Sequence, residues 1–226
     1  MDYRHIYRGL IWSTLSMDDL SLLSIYNQYK MKHFQIPIPD AGFQAVLAGM
    51  GIIVEKALAI KLKVHGDQHP STGTSYNNIG LVSNNKGEYD KAIEYYEKAL
   101  PIYLKVHGDQ HPETGTSYNN LGAVWKNKGE YEKAIKYYDK SLAIKLKVHG
   151  DQHPSTGTSY NNLGGVWRAK GEYDKAIEYY EKSLAIRLKV HGDQHPSTGT
   201  SYNNIVWWWR YCYNLKLFSC TQPIQI

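Results

Sequence analysis

Cysteine is almost missing from this chain of 226 residues: only Cys212 and Cys220 occur, both near the C-terminal end, and no disulfide framework follows from them. Long apolar runs are missing too. The longest uncharged apolar stretch, residues 41–54, has 14 residues, short of the roughly 20 that a membrane-spanning helix needs. Around Asp2, Arg4 and Arg8 there is no apolar core or cleavage pattern of a secretory signal. No heptad pattern of a coiled coil is present, and there is no glycine-rich phosphate loop, nucleophile elbow or suitably placed carboxylate pair. Charge of one sign is barely in excess, with 26 Lys and Arg against 21 Asp and Glu for a formal net charge of +5. The signs alternate along the predicted helices, which reads as a solvated surface and not as a nucleic-acid footprint. These absences point to a cytoplasmic protein with no membrane span, no catalytic residues and no cofactor.

What the chain has is repetition. The string KVHGDQHPSTGTSYNN occupies residues 63–78, recurs letter for letter at 147–162 and 189–204, and occurs once more at 105–120 with Glu113 in place of Ser. His65, His107, His149 and His191 are each 42 residues apart. Three complete units follow, residues 71–112, 113–154 and 155–196, with half-units on either side, and the second and third differ at only eight positions. Such a period predicts a stack in which each unit buries its apolar face on its neighbours.

Within a unit the pattern resolves into two helices. Tyr118, Leu121, Gly122 and Trp125 recur at intervals of three and four, which places them on one helical face. Gly129 ends that helix, since glycine readily takes the left-handed conformation past a C-terminus. The next helix carries Tyr131, Ala134, Ile135, Tyr138, Ser141 and Leu142 on one stripe, while Glu132, Lys133, Lys136, Asp139 and Lys140 keep the other face wet.

The series Tyr118-x2-Leu121-Gly122-x2-Trp125, followed by Ala134, Tyr138 and Ser141, resembles the tetratricopeptide repeat pattern over roughly residues 52–205. The unit is longer than the usual 34 residues of that repeat. Its extension, its His-Pro connector and its Asn-Asn-Leu opening are similar to the repeats of kinesin light chains and related scaffold proteins. The closing Pro of the ordinary repeat is replaced by Leu146, and Pro154 comes later in the connector. The resemblance implies an all-α, right-handed superhelical solenoid of antiparallel helix pairs, with three full units and partial units at both ends. It divides the chain into an unassigned segment at 1–51, a repeat domain at 52–205 and an aromatic tail at 206–226.

In such solenoids the first helix of each hairpin lines the concave side. Here that helix presents Thr116, Asn120, Ala123 and Asn127 as one stripe, flanked by Asn119 and Lys126. By resemblance to peptide-binding relatives, the Asn before the Leu-Gly pair holds ligand backbone or carboxylate: Asn78, Asn120 and Asn162, with Asn204 in the last partial unit. The candidate peptide-binding set is Asn77, Asn78, Asn84, Asn119, Asn120, Lys126, Asn161, Asn162 and Arg168. Along this wall Leu81, Ala123 and Gly165 are equivalent, as are Asn84, Lys126 and Arg168, and Asn85, Asn127 and Ala169. A varied stripe over a fixed frame suits a surface that reads different parts of one ligand, and two cations favour acidic groups on it. The competing reading has the same amides bonding neighbouring helices. The expected function is a non-enzymatic scaffold that binds a protein or peptide partner.

The connector HGDQHP offers His149, Asp151 and His153 as metal ligands. Gly150 and Pro154 explain the same loop as architecture, and no fourth ligand is visible, so the expectation is structure and no metal. Two departures should weaken the first unit: Ser83 replaces the aromatic found at Trp125 and Trp167, and Pro101 stands inside a helix, where it should produce a kink. At the end of the chain, WWWRYCYNLKLF reads as a segment folded back on the last hairpin, as a hydrophobic partner patch, or as the truncated end of a longer protein.

Overall fold

Each unit reverses direction twice, and glycine stands at both reversals. In the computed structural model, which describes residues 40–215, Gly87 and Gly171 adopt left-handed conformations with φ of 79° and 87°. The Gly87 amide donates to the Asn84 carbonyl at 3.1 Å and the Glu88 amide to the Ser83 carbonyl at 2.9 Å, so the last carbonyls of the helix are satisfied by the turn that ends it. The same pair of bonds follows Trp167 and Arg168.

Among the described residues there are eight helices: α1 (Asp40–His65), α2 (Pro70–Lys86), α3 (Tyr89–His107), α4 (Pro112–Asn127), α5 (Tyr131–His149), α6 (Pro154–Lys170), α7 (Tyr173–His191) and α8 (Pro196–Leu215). No strand occurs among the described residues. Helices α2–α3, α4–α5 and α6–α7 form the three hairpins, and the second helix of each also packs on the first helix of the next. This is the all-α arrangement of stacked helix pairs that the repeat pattern predicts. The hairpins belong to one compact unit that begins at Met50.

The contact inside each hairpin is a tyrosine ring laid on a glycine. A Cβ added at Gly122 would lie 2.8 Å from the Tyr138 ring, one at Gly80 would lie 2.7 Å from Tyr96, and one at Gly164 would lie 2.8 Å from Tyr180. Two turns earlier on the same helices, Gly73, Gly115 and Gly157 receive Ile102, Ile144 and Ile186 at 3.2 to 3.4 Å from the corresponding points. The other side of each tyrosine belongs to the next unit. Tyr96 joins Leu121 and Val124, Tyr138 joins Leu163 and Val166, and Tyr180 joins Ile205 in separate buried clusters. Val54 and Leu58 of α1 meet Ile79 and Val82 in the same manner. A single row of side chains therefore holds each hairpin closed and joins it to its neighbour.

Both departures of the first unit lie inside helices. Helix α3 continues without a break through Pro101. The proline is exposed, while Ala99, Ile102 and Tyr103 on either side of it are buried, so packing holds the backbone that the missing amide leaves unbonded. Ser83 is buried, 2% exposed. The readings made for residues 1–39 and for the side chains of the aromatic tail lie outside the described residues.

Because the fold has closed over Ser83, Ser83→Trp must displace its neighbours. The substitution is expected to destabilise the protein by about 1–3 kcal/mol and to lower the midpoint of thermal unfolding. A raised midpoint would show that room for the ring remains.

Candidate functional site

Several asparagines of the first helices bond across the joints between hairpins. Asn162 Nδ2 donates to Asn119 Oδ1 at 2.9 Å, Asn204 Nδ2 to Asn161 Oδ1 at 2.8 Å, and Asn127 Nδ2 to Asn84 Oδ1 at 3.0 Å. Each bond ties one first helix to the next, so α2, α4, α6 and α8 lie side by side. An amide carries two donor hydrogens and an oxygen with two lone pairs. One such bond orients Asn162 and leaves its oxygen and one hydrogen for another partner. The two readings of these amides are thus compatible in this geometry. At the first joint the matching bond between Asn120 and Asn77 is not made, and Asn77 Oδ1 is buried with no hydrogen-bond partner among the described residues.

Asn77, Asn78, Asn84, Asn119, Asn120, Asn161 and Asn162 are all half-buried, as are Lys126 and Arg168, whereas Asn85, Asn127 and Ala169 are exposed. Thr116 turns its hydroxyl to the Pro112 carbonyl of its own helix. The structure brings Lys126 across to the next helix. Its Nζ lies 3.2 Å from the point where a Gly165 Cβ would stand, and the Tyr180 hydroxyl is 3.7 Å from that point. Glycine at 165, where Ala123 and Leu81 stand in the preceding units, gives the ammonium its place. Burial pushes the Lys126 pKa below the ordinary lysine range, and the Arg168 guanidinium pushes it the same way. The site is a cationic centre bordered by amides at the contact of α4 and α6.

The connectors hold a feature that spacing alone did not reveal. In all four, two imidazoles stack: His65 on His69, His107 on His111, His149 on His153 and His191 on His195, with ring centroids 4.3 to 4.4 Å apart. The second ring of each pair caps the helix that follows. His153 Nδ1 accepts from the Ser155 amide at 3.1 Å, and His111 Nδ1 accepts from the Glu113 amide at 3.2 Å. Pro154 fills the first helical position, where no amide hydrogen is needed. Thr156, fully buried, donates to the Gly150 carbonyl at 2.8 Å and staples the turn, as Thr72, Thr114 and Thr198 do in theirs. Asn, Asp and Ser are the familiar caps, so a histidine in that role is legible only once its ring orientation is known.

The two histidines of each pair belong to different helices, and the folded connector puts their rings side by side. In the second connector a third donor joins them, with His107 Nε2 and Glu113 Oε2 2.8 Å apart. His107, His111 and Glu113 are the one group among the described residues whose donor atoms, all within 4.8 Å, could hold a metal ion.

A further joint was also missed. Lys145 Nζ donates to Ser159 Oγ at 2.9 Å, and at the equivalent place Arg187 Nη1 donates to the Ser197 carbonyl at 2.8 Å and to Ser201 Oγ at 2.9 Å. Burial lowers the pKa of both cations. Their buried seryl partners, in the next unit, mark them as architectural.

A sequence profile described as tetratricopeptide repeat matches residues 74–126, 126–189 and 161–210. A search of curated proteins finds no match. Among solved structures, similarity extends to a Podosopora anserina protein described as a kinesin light chain candidate with nearly identical TPR-like repeats. It is 23% identical, with 76% of this chain and 82% of that one covered and a TM-score of 0.65. BtubC (BKLC) from P. vanneervenii is 24% identical, with 77% and 70% covered and a TM-score of 0.66. At these identities the likeness is one of fold.

Removing a cap acceptor should be felt. His153→Ala is expected to cost about 1 kcal/mol, whereas His153→Asp, which restores an acceptor at a helix N-terminus, should cost little or nothing. Equal unfolding midpoints for the native chain and the alanine variant would contradict the capping role.

Proposed function

Because the chain belongs to the tetratricopeptide repeat family, whose repeats generally serve as protein-interaction scaffolds, we propose that it is a non-enzymatic, cytoplasmic scaffold. Its ligand is an extended peptide segment with acidic side chains or a free carboxylate, held in the groove that α2, α4 and α6 line. The observation that carries this reading is the cationic centre at α4 and α6. Lys126 is half-buried over Gly165 with Arg168 beside it, an arrangement in which two like charges oppose each other. An anionic ligand group relieves that repulsion, so complementarity of charge selects the partner. Asn78, Asn120 and Asn162 supply donors and acceptors to its backbone, and Asn162 is oriented by its bond to Asn119.

The connectors belong to the architecture in this reading. A metal at His107, His111 and Glu113 would compete with the helix cap, because the Nδ1 lone pair of His111 already receives the Glu113 amide. Zinc retained in stoichiometric amount by the purified chain would overturn that assignment. Among the described residues no helix is long and apolar enough to cross a membrane.

The test is charge reversal at the centre. Partners captured on the native chain are titrated against it and against the Lys126→Glu, Arg168→Glu double variant. Binding should weaken several-fold or more and lose most of its salt dependence, with the helical spectrum unchanged because neither side chain lies in the packed clusters. Equal affinities with an intact spectrum would move the binding surface elsewhere.

A further inference from the structure

The two ends of the repeat stack are complementary halves of one hairpin. Helix α1 is a second-type helix and α8 a first-type helix, and among the described residues no first-type helix precedes α1 in a hairpin and no second-type helix follows α8 to complete one. The consequences are visible residue by residue. Ile60 corresponds by the 42-residue register to Ile102, Ile144 and Ile186, which are 1%, 3% and 4% exposed on their glycine seats, yet Ile60 is 64% exposed. Gly199 corresponds to those seats, and nothing lies within 4 Å of where its Cβ would stand. One end carries a knob without a hole, and the other carries the hole.

One more pair matches across the same gap, and a third position is altered. In each complete hairpin a tyrosine of the first helix meets one of the second, as in Tyr160 and Tyr179 with ring centroids 6.2 Å apart. At the open ends the corresponding residues are Tyr202 and Ile53, and Ile53 is 59% exposed. The tyrosine-on-glycine seat is exchanged for a different pair: Val206 stands where Gly164 stands, and Val54 stands where Tyr180 stands. Glycine has become larger at one end and tyrosine smaller at the other. Val54 is already buried against Ile79 and Val82 of its own chain, so of this pair Val206, 57% exposed, is the side chain left open.

We propose that these ends bind each other between copies of the chain, α1 of one molecule completing the hairpin that α8 of another begins. The occupant is a second copy because the chain itself carries both halves in matching register. Such a contact is heterologous: each molecule keeps one free knob and one free hole, so association does not stop at a dimer unless the geometry closes a ring. A polar outer face on the terminal repeat is what ordinarily prevents this, and Ile53 and Ile60 at one end and Val206 at the other leave neither end polar.

Sedimentation of the full chain over micromolar to millimolar concentrations tests the proposal. The native protein should shift with concentration to species beyond a dimer. Ile60→Asp removes the knob and Gly199→Arg fills the hole; neither residue is buried, so each variant should keep its helical spectrum and sediment alone as a monomer. Mixed in equal amounts, the two should form a dimer and stop there, because the only intact knob and the only intact hole lie on different molecules. Ile60→Ser serves in the same scheme should the aspartate variant lose helix. A native chain that stays monomeric throughout, whether residues 1–39 of the same molecule cover α1 or nothing does, overturns the proposal. So does association that both variants leave intact, or a mixture that fails to pair.

Discussion

The approach of a tyrosine ring to a glycine sets the distance between the two helices of every hairpin. A methyl group at Gly122 would stand 2.8 Å from the Tyr138 ring, closer than carbon atoms tolerate, so the seat admits glycine alone unless the ring moves. The ring in turn reaches Leu163 and Val166 of the following unit. Spacing within a hairpin and spacing between hairpins are therefore not independent: both are set by one side chain. Repeating that contact every 42 residues places the first helices beside one another, and the amide bonds from Asn127, Asn162 and Asn204 can form only because they are so placed.

The longer unit puts its additional residues into the second helix and the connector, and the connector uses them to order the next helix start. A histidine cap, a proline at the first helical position and a buried threonine hydroxyl each satisfy or remove a backbone group that the turn would leave without a partner. The candidate site depends on this order. Lys126 reaches Gly165 only because α6 begins and ends in register with α4, and the variation from Leu81 to Ala123 to Gly165 changes what can occupy the same position without changing the frame.

Much of the fold was legible because it rests on periodic, local signals. Helical spacing placed Tyr138 and Leu142 on the buried stripe, and Gly87 and Gly171 marked helix ends through a conformation that favours glycine. What escaped depends on the third dimension. The bond from Asn162 to Asn119 joins residues 43 apart, and nothing in either local sequence distinguishes an amide that faces its neighbour from one that faces a groove. The capping role of His153 needs the orientation of its ring. Pro101 and Ser83 were readable as departures from the repeat, but the buried Ala99, Ile102 and Tyr103 that flank the proline and the burial of Ser83 itself were not. The Lys126 and Arg168 pair was readable as two cations on adjacent helices, but the glycine that admits the lysine was not.

A double-mutant cycle on Gly122 and Tyr138 measures the governing contact directly. With Tyr138 present, Gly122→Ala should destabilise the chain, the clash outweighing the better helix propensity of alanine. In the Tyr138→Leu background the same change should stabilise it by up to about 1 kcal/mol, since alanine then meets no ring and glycine is the poorer helix former. A change of sign between the two backgrounds, with a coupling energy above about 1 kcal/mol, is the expected result. The same effect of Gly122→Ala in both backgrounds would contradict the account, because the hairpin would then be held by something other than the ring on the glycine.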